Sequence, residues 1–378
     1  MRVPDHHKAA LHLAMAGGFG PQAFHALRGA GNAAAMLQLP EETVRDKLAT
    51  KQVTAWRAAR EAFHNGHDRR IQESLELLAS GKAALVTPDD PGYPAAFQGE
   101  PWAPGLLFIS GGRLAEALKR PCVAVVGSRE ASPYGLDVAR RLGKELGKAG
   151  VTVVSGCAEG VDSAAHTGAM DAGGLTVAVM GAAPLKSDGS VEIRRRIPAY
   201  GGSISEIPPD MEKHPGTYVQ RNRLISGLSR AVVVVEGVEG SGSASTAGAA
   251  LSQGRILFAV PGEITRPLSF TPNELIRLGK AKMLTGAHDV LEALGLRGNG
   301  LQAWSNTPER PAVSEPPPEL DGTLATVFGA LSPVAEVAVD DVAEKCGLSA
   351  AEAARGLLEL ELRGLCRRER GGVYTRLA

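Results

Sequence analysis

Short, wholly apolar runs punctuate the middle of this chain, and each one stops at a stretch of small polar residues. Val123-Ala124-Val125-Val126 runs into Gly127-Ser128-Arg129, and Val151-Thr152-Val153-Val154 into Ser155-Gly156-Cys157-Ala158-Glu159-Gly160. Val232-Val233-Val234-Val235 runs into Glu236-Gly237 and then Ser241-Gly242-Ser243-Ala244-Ser245-Thr246. Runs without polar alternation read as parallel strands covered on both faces. The pattern predicts strands near 122–126, 151–155, 175–180, 231–236 and 256–260, with helices near 134–149, 161–173, 219–229, 243–253 and 287–294. That rhythm describes an α/β, Rossmann-like doubly wound sheet with right-handed crossovers. Ligands of such sheets bind beyond the carboxyl ends of the strands.

The flanks differ from this core. Residues 1–82 show apolar positions at helical spacing (Leu11, Phe24, Leu27, Leu37, Val44, Leu48), with a turn at Gly17-Gly18-Phe19-Gly20-Pro21 whose proline can open the next helix. This is a helical domain. Its Gly-x-Gly turn reads either as a helix-hairpin-helix phosphate contact or as a plain connection. The core spans 83–295, entered through a turn-rich segment and a strand at Leu106–Ile109. Residues 296–320, with five prolines among polar residues, read as a semi-rigid linker. Residues 321–378 follow a winged-helix plan. Helices are expected over Thr323–Leu331, Val339–Gly347 and, capped by Ser349, to about Arg363; a hairpin then turns at Gly371-Gly372.

Composition narrows the function. Lys+Arg and Asp+Glu are both 41, so any polyanion site must be a local patch. Aromatics are 4%, too few for a surface built on many stacked bases. Cysteines 122, 157, 346 and 366 form no C-x-x-C and suit reduced thiols, and no run reaches membrane-span length. A cytoplasmic protein without membrane contact is expected.

The strand-end loops carry backbone N–H, hydroxyl and guanidinium groups. In Gly127-Ser128-Arg129 glycine lets the backbone close on a ligand, serine adds a donor, and arginine matches phosphate oxygens. Gly156 and Gly160 allow tight approach at the second junction, where Asp162 fits a cap and His166 falls on the same helical face. In Gln220-Arg221-Asn222-Arg223 a continuous helix would point the two arginines about 200° apart. Arg221 would then be half buried and want a carboxylate, Glu206 or Glu236; a later helix start would free both for an anion. Ser241, Gly242, Ser243 and Thr246 open a helix whose N-terminus offers free N–H groups and four hydroxyls. No G-x-x-x-x-G-K-[ST] occurs, Ser245 breaks the dinucleotide G-x-G-x-x-G, and no histidine–cysteine–carboxylate spacing points to a metal. Neither cofactor nor metal is expected. In the presumed recognition helix 349–363, Glu352, Glu359 and Glu361 oppose Arg355 and Arg363, whereas the wing carries Arg367, Arg368, Arg370 and Arg376, so the domain reads either as a protein-interaction winged helix or as a DNA reader.

At these residues the chain resembles the DprA/Smf family of DNA-processing proteins of natural transformation. The likeness runs through Val123–Arg129, Ser155–His166, Gly173–Val179, Ser205-Glu206, Gln220–Leu228, Val234–Thr246, Arg255–Gly262 and Asn273-Glu274-Leu275-Ile276, in the family's order. It implies a dimerising Rossmann-like core that binds single-stranded DNA, an N-terminal helical domain of SAM or helix-hairpin-helix type, and a C-terminal winged helix. It also implies loading of the recombinase RecA onto strands coated by single-strand-binding protein. It carries Arg129 and Arg221-Asn222-Arg223 over as DNA contacts. Where the family has Gly-Leu-Asp…Tyr-Pro, this chain has Gly181–Gly189, with Lys186 in place of a pocket lysine. We therefore expect phosphates to lie across the strand ends. Arg129, Arg221 or Arg223, and Lys186 would supply charge; Ser128, Ser241, Ser243 and Thr246 would supply neutral donors beside the Gly127, Gly156 and Gly242 backbone. A nucleotide phosphoribohydrolase is the enzymatic rival, but Ala249 stands where its catalytic Glu would be. A winged-helix transcription regulator with a ligand-sensing core is the other rival.

Overall fold

The apolar runs do assemble into one sheet. A computed structural model describes residues 3–66, 68–183, 189–211, 215–296, 320, 322–332, 337–369 and 372–377. The chain divides into two compact units, the first holding the N-terminal helices and a large sheet, the second the C-terminal helices and a small sheet.

In the first unit, α1 (Asp5–Met15), α2 (Pro21–Leu27), α3 (Ala33–Gln38), α4 (Glu41–Lys47), α5 (Thr50–His64) and α6 (Gln72–Ala79) come first. Pro21 opens α2 as anticipated, after a turn that needs Gly18 at φ +103°. Leu11, Leu27, Leu37 and Trp56 are fully buried in a core shared with Leu85 and Phe108 of the following strands and with Leu106 just before the second of them. The indole N–H of Trp56 donates to Met36 O at 3.0 Å, so its burial strands no donor.

The sheet strands are β1 (Ala84–Val86), β2 (Leu107–Ser110), β3 (Cys122–Val126), β4 (Thr152–Ser155), β5 (Thr176–Val179), β6 (Gly201–Ser205), β7 (Ala231–Val234), β8 (Ile256–Ala259) and β9 (Lys282–Met283). Between them run α7 (Leu114–Lys119), α8 (Pro133–Lys148), α9 (Val161–Asp171), α10 (Val191–Tyr200), α11 (Pro215–Leu228), α12 (Gly242–Ser252) and α13 (Phe270–Arg277), with α14 (Ala287–Ala293) after β9. Strand order is β1-β2-β6-β5-β4-β3-β7-β8-β9; β2 runs antiparallel to the otherwise parallel sheet, and β1 pairs antiparallel with β2 at the edge. From β3 the chain winds one way through β4, β5 and β6, then returns to lay β7, β8 and β9 on the other side. β3 and β7 pair in register (Val126 with Val234), so the winding reverses between them. All of β3, β4, β5 and β7 are buried, which is why their sequences do not alternate.

The sequence pattern missed β1, α7, α10, β6, α13 and β9. β6 begins Gly201-Gly202, poor strand formers. A Cβ on Gly201 would lie 2.0 Å from Thr176 O and one on Gly202 would lie 2.1 Å from Ser110 O, so only glycine fits between β5 and β2.

The second unit contains α15 (Gly322–Ala330), α16 (Val339–Cys346), α17 (Ala350–Leu362) and a sheet ordered β10 (Val337–Ala338), β12 (Val373–Arg376), β11 (Cys366–Arg368). Gly347 closes α16 in the left-handed region, and Ser349 caps α17 in a capping box with Glu352. Three helices and this small sheet form a winged helix. Of the expected linker 296–320, residues 297–319 lie outside the described residues, as does Gly371 of the hairpin turn.

Candidate nucleic-acid interface

A reversal of winding opens a crevice outside the strand ends, and here it falls between β3 and β7. The Gly127-Ser128-Arg129 loop leaves β3 on one side of it; the residues that start α12 follow β7 on the other. The first loop is held by the start of α9. Val161 N donates to Ser128 O at 3.1 Å, and Gly160 sits at φ +82° where a Cβ would meet Ser128 O at 2.3 Å. Gly127 has no room for a side chain either, since Val161 would be 2.6 Å away. The hydroxyl of Ser128 accepts from Glu130 N at 3.1 Å, bracing the turn.

Arg129 projects from this turn. It is exposed, and its guanidinium carbon lies 5.4 Å from the centroid of the Tyr218 ring on α11. Among the described residues no carboxylate pairs with it, so the fork is available to an anion.

The other two arginines are spent on the protein. The helix α11 starts at Pro215, earlier than expected, so Arg221 and Arg223 do point apart. Arg221 is buried, and its Nη1 donates to Gly156 O at 2.8 Å and Val179 O at 2.5 Å, tying the ends of β4 and β5 together. A Cβ on Gly156 would be 2.1 Å from that nitrogen; this glycine makes room for the guanidinium. Glu206 does find an arginine, but it is Arg223: two bonds of 2.6 Å form a bidentate pair, and Arg223 Nε donates to Trp102 O at 2.9 Å. Asn222 donates to Gly242 O at 3.2 Å and links α11 to α12.

The four donors at the start of α12 divide likewise. Ser241 caps the helix, accepting from Ala244 N at 3.3 Å, and Gly242 is exposed. Ser243 and Thr246 are buried and turn their hydroxyls onto Glu236 O and Gly242 O, both at 3.2 Å. Lys186 lies outside the described residues.

Beneath the loops is a buried charged layer that the sequence pattern did not resolve. Asp162 accepts from Gly156 N at 3.1 Å and Ala158 N at 3.4 Å, from the second position of α9 rather than from its cap. Burial raises its pKa, and the charge of Arg221 opposes that rise. His166 does not bond Asp162; its Nδ1 is 2.6 Å from Thr176 Oγ1. Burial, with Arg221 adding to it, pushes His166 down to about 3. Its folded pKa lies below the unfolded value, so the stability it confers is full above about 6.5 and is lost as pH falls toward the folded value. Going from pH 7 to pH 5 should cost about 2 kcal/mol through this residue. Urea unfolding at both pH values, in wild type and His166→Gln, measures it: the variant should lose that part of the acid sensitivity.

Fold and site together define a Rossmann-like protein with an exposed arginine at its switch point and a winged helix appended. Comparison with known proteins agrees. The profile of the family described as DNA recombination-mediator protein A matches residues 84–295, and that of the DprA winged helix domain matches residues 310–372. Protein Smf of Escherichia coli (strain K12) is 38% identical over 320 residues, covering 82% of this chain and 81% of that protein. The putative DNA processing protein DprA of Mycobacterium tuberculosis (strain CDC 1551 / Oshkosh) is 36% identical over 322 residues, covering 80% of each. The X-ray structure of DNA processing protein A from Streptococcus pneumoniae superposes with a TM-score of 0.62 at 28% identity, covering 77% of this chain and 98% of that one. The chain belongs to the DNA recombination-mediator protein A family; it is a DNA-processing protein of that family.

Proposed function

We propose that this chain is a non-enzymatic mediator that grips single-stranded DNA at the β3–β7 switch point. In that role it protects incoming strands in the cytoplasm during natural transformation and helps load RecA onto strands coated by single-strand-binding protein. The observation that carries the reading is Arg129: an exposed guanidinium at the mouth of the crevice, free of carboxylates among the described residues. The hydroxyls of Ser128 and Ser241 and the backbone amide of Gly242 add neutral donors. Lys186 adds charge. Arg221, Asn222, Gly156, Ser243 and Thr246 hold the loops in place, and Arg223 anchors α11 to Glu206.

Three further observations bear on the wider role. Ile264 is 95% exposed, and Phe270, Leu278 and Met283 are about half exposed; these apolar side chains lie after β8 and around the edge strand β9, and suit a homodimer formed through the core. Ala249, on α12, leaves the nucleotide-hydrolase reading without its acid. On α17, Glu352 is engaged in the helix cap and Glu359 pairs with Arg363, while Leu358 and Leu362 are exposed, a surface ill-suited to a DNA backbone.

Fluorescence anisotropy with labelled single and double strands of one length, over a salt series, tests the reading. Single strands should bind more tightly, with a salt slope near 0.7 per phosphate contacted. Preference for one duplex sequence, or release of free base from a nucleoside monophosphate, would contradict it.

A further inference from the structure

The first turns of α1 carry two adjacent histidines, and both imidazoles converge on one carboxylate of the loop after β1. His7 Nε2 is 2.9 Å from Asp90 Oδ2, and His6 Nε2 is 3.6 Å from Asp90 Oδ1. One ligand atom from each of the three groups lies within 4.8 Å of the others, and the two rings meet edge to face with centroids 4.3 Å apart. Neighbouring helical positions diverge by about 100°, so a shared target is needed for both rings to arrive at one place.

The carboxylate is fixed from behind. Thr87 donates its N–H and its hydroxyl to Asp90 Oδ2, each at 2.7 Å. Partners of this kind orient the carboxylates of metal sites. All three side chains are partly exposed, between 13% and 29%. His7 borders a cavity of about 730 Å³ together with Val3, Leu78, Leu85 and Ile109, which gives an ion a route in and water a place beside it.

The separations suit one ion. Ligands about 2.1 Å from a zinc-sized cation stand about 3.0 Å apart in an octahedral site and about 3.4 Å apart in a tetrahedral one. The separations, 2.9 Å from His7 to Oδ2 and 3.6 Å from His6 to Oδ1, lie just below and just above that range, so small ring movements bring both imidazoles onto an ion held by the carboxylate. Two imidazoles and a carboxylate are an N₂O donor set, which suits zinc and its neighbours; calcium and magnesium take oxygen. We propose that His6, His7 and Asp90 bind a divalent transition-metal ion of the zinc class, with water in the remaining positions, clamping α1 to the loop after β1.

A purely structural His–Asp contact predicts something different. At 3.6 Å, His6 is beyond hydrogen-bond reach of Asp90. Its removal should therefore leave a structural His7–Asp90 bond untouched, whereas it removes a metal ligand. Untagged full-length protein, stripped with EDTA, is titrated with zinc chloride by calorimetry and with cobalt(II) by visible absorption. One ion per chain should bind. Affinity should fall by at least about 10-fold in His6→Ala and in Asp90→Asn, with circular dichroism unchanged in His6→Ala. His25→Gln, altering an exposed histidine of α2, should bind as wild type does. Absence of binding, equal affinity in wild type and His6→Ala, or cobalt bands of thiolate ligation that assign the ion to a cysteine would each overturn the proposal.

Discussion

Arg129→Ala should weaken binding of single-stranded oligonucleotide by about 10- to 100-fold, the value of one charge-assisted bond at about 1.5–3 kcal/mol. The salt dependence should drop by about 0.7 in slope. The fold should not notice. Arg129 is exposed, its guanidinium lies over the face of Tyr218, and no carboxylate among the described residues depends on it. Surface changes of this kind stay within about 0.5 kcal/mol of wild-type stability. Arg129→Lys separates charge from geometry: it should keep the slope while losing part of the affinity, because an ammonium cannot reproduce the planar fork. Unchanged affinity and slope in Arg129→Ala would remove the switch point from the DNA path.

Much of this was legible in the residues, for a physical reason. Strands buried on both faces abandon alternation, and the loops that end them need small residues; Val123–Arg129 and Val232–Thr246 show both features at once. The expected strands and helices of the core accordingly fall within a few residues of those observed. What the pattern could not show was partner choice. Arg221 and Arg223 are two residues apart with the same side chain, yet one ends on carbonyls under the strand ends and the other on Glu206. Their fates depend on α11 starting at Pro215, a proline at the first helical position that lies ahead of the expected range 219–229. Ser243 and Thr246 looked like Ser241, but the helical turn rotates them inward onto carbonyls. The His6–His7–Asp90 cluster eluded a search by spacing because 83 residues separate His7 from Asp90.

Arg221→Met is expected to have the largest effect on stability, about 3–5 kcal/mol, the usual result of removing one partner from a buried charge. Methionine fills much of the volume but cannot donate to Gly156 O or Val179 O, and it leaves Asp162 without the charge that opposes its burial. The pKa of Asp162 should then rise further above its unfolded value. A raised folded pKa in an acid means stability that is present at low pH and lost as pH climbs through that value. The deficit of the variant should therefore be larger at pH 7 than at pH 4, in contrast to His166, whose contribution shrinks on acidification. Urea unfolding across that range gives the comparison directly. DNA binding supplies the second readout. If Arg221 braces the loops, the folded variant binds more weakly but keeps the wild-type salt slope, since no phosphate contact has gone. A slope lower by about 0.7 would mean that Arg221 leaves its carbonyls and reaches the strand, and the division drawn here between the exposed and the buried arginine would be wrong.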